Sequence, residues 1–193
     1  MDVHIFWDHR APEGMAGPAG RSVAAIIGTR VNVCESPFVL SGYSGQRRQV
    51  DAGVALDSLG TFMHRQEIVG PVLLVVGQDL FATGLDFVFG LARPHTRASV
   101  ISGVRLSNEY YSRPTNDEDL IERLAKEGSH ELGHIFGLSH CSNHECIMFN
   151  PHTLDELDGK KKEFCPVCSV ALELGKAEIL FGRRPVILRP DRG

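Results

Sequence analysis

Three histidines and one glutamate stand at spacings that suit a metal-assisted hydrolytic site. His130, Glu131, His134 and His140 form the pattern H-E-x-x-H-x-x-G-x-x-H. On a helix, His130 and His134 lie one turn apart on one face and can offer two nitrogens to one metal. Glu131 lies about 100° further round the helix, so it can reach water on the metal instead of the metal itself. Gly137 permits the turn that brings His140 back, and the pattern therefore predicts a zinc site with one open position.

Four cysteines follow the histidines at spacings typical of a structural zinc site. Their pattern is C-x4-C, then 18 residues, then C-x2-C, and the members are Cys141, Cys146, Cys165 and Cys168. Two disulfides or a redox C-x-x-C pair are the alternatives. The expected intracellular location argues against disulfides, which are rare in reducing compartments. A redox pair would involve Cys165 and Cys168 alone and would leave Cys141 and Cys146 without a role. We therefore expect a four-cysteine structural zinc. Cys34 stands apart, and we expect a small buried or idle thiol there.

The elements that must position these residues follow from the apolar pattern. An active-site helix is predicted from about 117 to 136, with Asn116 as its N-cap and acidic residues in its first turn. A second amphipathic helix is predicted over about 48–65, a short one from Cys165 to about Leu174, and loop between 141 and 165. The predicted strands are 3–7, 31–33, 71–76, 87–92 and 99–106, with a final strand or extended arm over 183–188. The strand at 99–106 directly precedes the active-site helix, and we expect it to pair with an extended peptide.

Length and charge restrict the classes of protein to which the chain can belong. The 193 residues predict one domain, with an N-terminal lobe of about 1–140, a C-terminal lobe of about 141–193 and a substrate cleft between them. The net charge of −4 and the absence of a long basic run argue against nucleic acid. The N-terminus shows no signal-peptide pattern and the longest strongly apolar run, 72–76, is too short for a membrane span. We expect a cytoplasmic monomer.

The histidine pattern in full is the metzincin form of the zinc-peptidase motif. Met148 follows His140 by eight residues and matches the methionine turn of that clan. Together with the four cysteines, the arrangement resembles the archaemetzincin family, as do the segments 77–81 and 87–92. The resemblance covers residues from about 70 to 170.

This resemblance implies a fold and a set of roles. The fold is a compact α+β zincin domain with a mixed twisted β-sheet, an active-site helix and a small zinc-bound C-terminal lobe. Two zinc ions per chain are implied. The three histidines hold the catalytic ion, Glu131 is the general base, Met148 supports the site, and the structural ion is held by Cys141, Cys146, Cys165 and Cys168.

The expected activity is hydrolysis of peptide bonds in a peptide or protein substrate by a zinc-activated water. The alternatives are a zinc-stabilised binding protein with a vestigial site and a non-peptide amidohydrolase, and the choice between endopeptidase and aminopeptidase stays open. All three tyrosines lie upstream of the histidine motif. The tyrosine that some metzincins place after the methionine turn is therefore missing. Because His140 and Cys141 are adjacent, we also expect the two zinc sites to be mechanically coupled.

Overall fold

The computed structural model describes residues 1–181, which contain nine strands and five α-helices. The strands are β1 (Val3–Trp7), β2 (Val31–Glu35), β3 (Tyr43–Ser44), β4 (Gln49–Asp51), β5 (Val72–Val76), β6 (Leu80–Ala82), β7 (Leu85–Val88), β8 (Gly90–Arg93) and β9 (Ala98–Ser102). The helices are α1 (Ala16–Ile27), α2 (Ala52–Arg65), α3 (Asp117–Ile135), α4 (Leu154–Gly159) and α5 (Pro166–Leu180).

The main sheet is mixed and has five strands in the order β2-β1-β5-β9-β8. β1, β2, β5 and β9 are parallel, and β8 runs antiparallel to β9 at one edge. All five residues of β5 are buried, as expected for a central strand covered on both faces. A smaller four-stranded sheet has the order β3-β4-β6-β7. These sheets and helices confirm the predicted α+β fold class.

Helices cover both faces of the main sheet. Leu73, Val75 and Ile101 point to the face where α1, α3 and the C-terminal helices pack. Leu74 and Val100, their neighbours along the strands, point to the other face and pack with α2. This two-residue alternation divides the interior into two apolar cores, one on each side of the sheet.

The active-site helix α3 has the predicted bounds to within one residue. The Asn116 side chain accepts hydrogen bonds from the backbone N–H groups of Glu118 and Asp119 at its N-terminus. Gly128 lies in the middle of α3 although glycine weakens helices, and close packing explains its presence. A Cβ there would lie 2.8 Å from Cδ2 of Leu73, so glycine lets α3 approach β5 closely.

Two buried cations tie α3 to the short helix α4. Arg123 donates to both carboxylate oxygens of Asp158, at 2.6 and 2.7 Å. Lys126 is 1% exposed, and its Nζ lies 3.0 Å from the Asp158 carbonyl oxygen and 2.7 Å from Glu122 Oε1. The segment after the histidine motif is therefore anchored to the helix that carries the motif.

Several predicted elements have different bounds. α2 begins at Ala52 because residues 49–51 form β4, and Asp51 caps the helix by accepting from Gly53 and Val54 N–H. α4 lies inside the segment predicted as loop, and α5 continues six residues beyond the predicted end at Leu174. β9 ends at Ser102 and is followed by a 3-10 turn. The strand or arm predicted for 183–188 lies outside the described residues.

The prediction that residues 99–106 pair with an extended peptide is wrong. β9 is hydrogen-bonded to β5 on one side and to β8 on the other, so its backbone groups are already used. Within residues 1–181, β8 pairs with β9 alone and leaves its other edge open. None of the helices in this part of the chain is long and apolar enough to cross a membrane.

Candidate metal centre

The structure brings His130, His134 and His140 together. α3 presents the first two from adjacent turns, and their Nε2 atoms lie 3.1 Å apart. The His140 ring centroid lies 5.3 Å from that of His130 and 4.8 Å from that of His134. The potential ligand atoms of all three histidines fall within 4.8 Å of one another. The predicted triad is therefore a spatial cluster and not only a sequence pattern.

Backbone carbonyls fix the tautomers of the two helical histidines. Nδ1 of His130 lies 2.9 Å from the Ile147 oxygen, and Nδ1 of His134 lies 2.8 Å from the Leu138 oxygen. Because a carbonyl oxygen only accepts, each Nδ1 must carry a proton and donate it. Burial lowers the pKa of His130 well below its usual value and lowers the pKa of His134 to about 4. Both rings are therefore neutral at pH 7, with a lone pair on Nε2.

The Nε2 atoms of these two rings lie 3.1 Å apart, and this spacing tests whether both can bind one cation. Two bare nitrogens 3.1 Å apart repel unless a positive charge lies between them. A tetrahedral zinc with bonds of about 2.0–2.1 Å separates its nitrogen ligands by about 3.3–3.4 Å. The tautomers, the neutral rings and the spacing of this donor set thus fit a zinc ion.

Gly137 turns the chain so that His140 can approach the helix. Its φ of 88° lies in the left-handed region, where glycine is favoured. The Gly137 N–H donates to the His134 carbonyl and the Leu138 N–H donates to the Gly133 carbonyl, both at 3.0 Å. This pair of bonds is the Schellman arrangement that ends helices.

Glu131 lies beside the histidines and is 4% exposed. Burial raises its pKa well above the usual carboxyl range, the neighbouring Glu127 raises it further, and Lys160 acts in the opposite direction. Lys160 is itself 2% exposed, and its Nζ donates to the Phe149 carbonyl at 3.1 Å. The buried carboxylates of Glu127 and Glu131 thus both interact electrostatically with the buried ammonium of Lys160.

The four predicted cysteines form a second cluster. Their Sγ atoms lie within 4.8 Å of one another, and those of Cys141 and Cys165 are 3.9 Å apart. A disulfide requires about 2.05 Å, whereas tetrahedral zinc with Zn–S of about 2.3 Å separates its sulfurs by about 3.8 Å. All five cysteines are free, and Cys34 is exposed on β2. The spacing therefore fits a metal ion better than two disulfides.

Backbone N–H groups support this cluster. Cys146 Sγ accepts from the Met148 N–H at 3.4 Å and from the Cys165 N–H at 3.3 Å. Cys141 Sγ accepts from the Asn143 N–H at 3.4 Å. Burial and the neighbouring Cys146 raise the pKa of Cys168. A cation is what would reverse that shift, because metal binding deprotonates a coordinating thiol.

Met148 lies beneath the histidine helix and is fully buried. A Cβ at Gly133 would overlap Met148 Sδ and lie 3.2 Å from its Cε, so the thioether packs directly on the helix between His130 and His134. The Met148 carbonyl accepts from the Cys141 N–H at 2.8 Å. This bond connects the methionine turn to the point where the histidine and cysteine sets meet.

A cleft of about 650 Å³ opens onto the histidines and Glu131. One wall is formed by the consecutive strands β7 and β8, and the other includes Asn150 and His152. The sequence interpretation missed Glu127, Lys160, Asn150 and His152. Glu127 stands four residues before Glu131 on the same helix face, and that spacing was the available signal.

Most of the chain is similar in sequence to known peptidases. Residues 45–174 match the model of a family described as Peptidase family M54. An archaemetzincin from Thermococcus kodakarensis is 44% identical over 137 residues, which are 71% of this chain and 73% of that protein. An archaemetzincin from Sulfolobus acidocaldarius is 37% identical over 153 residues, which are 77% of this chain and 83% of that protein.

Two solved structures resemble the fold closely. A zinc-dependent peptidase from Methanocorpusculum labreanum superposes with a TM-score of 0.84 at 39% identity, covering 88% of this chain and 99% of that one. An archaemetzincin from Methanopyrus kandleri superposes with a TM-score of 0.76 at 33% identity, covering 92% of this chain and 96% of that one.

Proposed function

Because this chain belongs to peptidase family M54, the archaemetzincins, and is a zinc metallopeptidase, we propose that it hydrolyses peptide bonds with Glu131 as general base. The observation that carries the proposal is the pair of His130 and His134 Nε2 atoms, 3.1 Å apart, next to the buried Glu131 in an open cleft. His130, His134 and His140 would hold the catalytic zinc. The whole chain would form one metallopeptidase domain, with lobes of about 1–140 and 141–193.

Zinc, when bound, polarises the substrate carbonyl and lowers the pKa of water at the open position. The chain's own residues supply the proton transfers and the orientation. Glu131 accepts the proton of the attacking water and delivers it to the leaving nitrogen. The raised pKa of this buried carboxylate makes it a stronger proton acceptor than an exposed glutamate, which suits the role of general base.

Each helical histidine is oriented by a partner from the segment that follows the helix. The Ile147 carbonyl holds His130, and the Leu138 carbonyl holds His134. Such partners fix the ring orientation and raise the basicity of the ligating nitrogen. Met148 would act as an apolar support for this arrangement and not as a reactant.

The open edge of β8 is the proposed binding surface for an extended peptide. Within the described residues no second strand pairs with this edge, and the Gly90–Ala92 segment lines the cleft. A peptide added as a strand would place its main chain alongside the histidine cluster. β8 thus replaces the strand predicted at 99–106 as the proposed peptide-binding strand.

A second, structural zinc is proposed for Cys141, Cys146, Cys165 and Cys168. The Sγ spacing and the N–H···S bonds support it, and two ions per chain follow. Free thiols used as metal ligands suit a reducing compartment, so a cytoplasmic address is part of the proposal. We further propose a monomer that acts on a peptide or protein substrate without nucleic acid or membrane.

Substitution of the proposed base tests the catalytic assignment. Glu131→Ala should abolish peptide hydrolysis while two zinc ions per chain remain, because Glu131 is not a ligand. A peptide library assayed with and without a chelator, combined with metal analysis, measures both quantities. A hydroxamate titration then separates an open site from a vestigial one that a side chain blocks. Equal hydrolysis by Glu131→Ala and the wild type would refute Glu131 as the base.

Substitution of one cysteine tests the structural assignment. Cys165→Ala should lower the zinc content by one ion per chain and lower the melting temperature, since structural zinc contributes folding free energy. Cys34→Ala is the matched control, because Cys34 is exposed and lies outside the cluster. A zinc content of two with an unchanged melting curve would contradict the four-cysteine site.

A further inference from the structure

Gly90, the first residue of β8, lies directly against the side chain of Glu131. A Cβ built on Gly90 would lie 2.8 Å from Glu131 Cγ and 2.9 Å from Glu131 Oε1. Carbon atoms in ordinary contact are about 3.5–4.0 Å apart, so both contacts are too short for any residue with a side chain. The strand backbone itself is thus one wall of the space that holds the carboxylate.

The requirement for glycine here is steric. The φ of Gly90 lies outside the positive region, so an alanine would be free to adopt the same backbone conformation. The strand cannot easily move away, because Gly90 pairs with Ile101 of β9 and the Ser102 N–H donates to the Phe89 carbonyl at 2.9 Å. A Cβ also could not turn aside, since Ile101 Cγ2 would lie 2.9 Å from it.

Helix α3, which carries Glu131, is also closely packed against its neighbours. Gly128 places α3 in close contact with Leu73 of β5, and Met148 packs beneath Gly133. A side chain at position 90 would therefore displace the Glu131 carboxylate more readily than either backbone.

We propose that Gly90 is a positioning residue for Glu131, whose carboxylate occupies the space that a Cβ at position 90 would need. The inference rests on the proposed role of Glu131 as general base. It also assigns β8 a task besides peptide binding, because the strand that receives the substrate sets the position of the base. Substrate and base are then placed by the same backbone segment.

The expected kinetic effect of Gly90→Ala is a loss in kcat. Restoring ordinary contact requires the carboxylate to move by about 0.7 Å or more, and misplacement near 1 Å can cost about 100-fold in rate. We expect kcat to fall by about 10- to 100-fold, with KM changed far less and the zinc content unchanged. Combination with Glu131→Ala should give the activity of Glu131→Ala alone, because groups that act as one unit are not additive.

Gly103→Ala is the matched control. Gly103 directly follows β9 in the same sheet, and its φ of −73° also suits alanine. A Cβ there would lie 2.7 and 2.9 Å from Cγ and Cδ of Pro12, which is a clash of the same size away from the cleft. Gly103→Ala should lower the melting temperature and leave kcat unchanged.

A melting-temperature cycle gives a readout that does not depend on activity. Gly90→Ala should lower the melting temperature of the wild type, and lower it by clearly less in the Glu131→Ala background, where the colliding side chain is gone. If Gly90→Ala alone does not fold, recovery of folded protein in the double variant supports the proposal, and failure of both overturns it. Equal losses in both backgrounds, or a kcat for Gly90→Ala equal to that of Gly103→Ala, would also overturn it.

The cycle separates this inference from the proposed function. If Glu131→Ala retained full hydrolysis, the role of Glu131 as base would fail. The difference in melting temperature between the two backgrounds would still report whether Gly90 and Glu131 compete for the same space.

Discussion

Gly175→Ala should separate α5 from the end of α3. Gly175 is buried against Phe136, the residue that follows α3, and a Cβ there would overlap the Phe136 carbonyl oxygen. The same Cβ would lie 2.8 Å from the Phe136 carbonyl carbon and 3.2 Å from its Cβ. Because two of these three atoms are backbone, a change of rotamer cannot relieve the collision. The helices must move apart.

The expected loss follows from two opposing effects. Overpacking a filled interior costs about 1–3 kcal/mol, and a backbone obstacle places this substitution near about 3 kcal/mol. Alanine in place of glycine within a helix recovers about 0.5–1 kcal/mol. The free energy of unfolding should therefore fall by about 2 kcal/mol, which corresponds to about 4–8 °C in melting temperature for a chain of this length.

Thermal unfolding at a fixed free zinc concentration measures this loss, since bound metal itself shifts the transition. Gly159→Ala is the control, because Gly159 is the exposed last residue of α4 and no atom lies within 4 Å of a Cβ built there. That variant should melt at the wild-type temperature or above it. If Gly175→Ala and Gly159→Ala melt at the same temperature, the close approach of Gly175 to Phe136 is refuted.

Two further predictions concern the support of the site and its surroundings. Met148→Ala should cost about 2–5 kcal/mol of stability in urea unfolding and weaken zinc binding, whereas Met63→Ala in the opposite core should lower stability alone. A hydrogen bond from Lys126, assisted by Lys162, lowers the pKa of Glu122. Its stabilisation is then present above the ordinary carboxyl pKa of about 4.3 and lost as the pH falls through the lower folded-state pKa. Glu122→Gln should flatten the acid side of a plot of melting temperature against pH, and an unchanged slope would contradict this.

The metal ligands could be predicted because their geometry is local in the chain. His130 and His134 need only a helix to converge, and Gly137 marks the turn that returns His140. The bounds of α3 were equally accessible, since Asn116 caps one end and the glycine turn ends the other. A short-range pattern translates directly into positions once the helical period is known.

Other residues around Glu131 are brought there by tertiary packing and could not be predicted from the sequence. Gly90 and Lys160 lie far from Glu131 in sequence, and only the docking of β8 and the 149–160 segment on α3 brings them close to it. The edge strand was misassigned for the same reason, because β8 and β9 both carry apolar residues and the pattern does not reveal which strand is interior.

Short elements escaped the periodicity analysis. β4 and β6 have three residues each, which is too few to show alternation. α4 did carry a usable signal, since Thr153 and Glu156 form a capping box at its start. The surrounding segment lacks a long apolar pattern, so periodicity alone does not predict a helix there.

The adjacency of His140 and Cys141 has a consequence for how the protein would acquire and lose its ions. On the two-ion proposal, four thiolates gather first, because they bind soft metals strongly and drive the folding of the lobe. The hydrogen bond from the Cys141 N–H to the Met148 carbonyl would then hold the backbone next to His140. The His140 side chain would only need to rotate to complete the three-histidine site. On this proposal the histidine site would be filled last and emptied first. Under zinc limitation the enzyme would therefore lose activity but stay folded, and it would regain activity when zinc is available again.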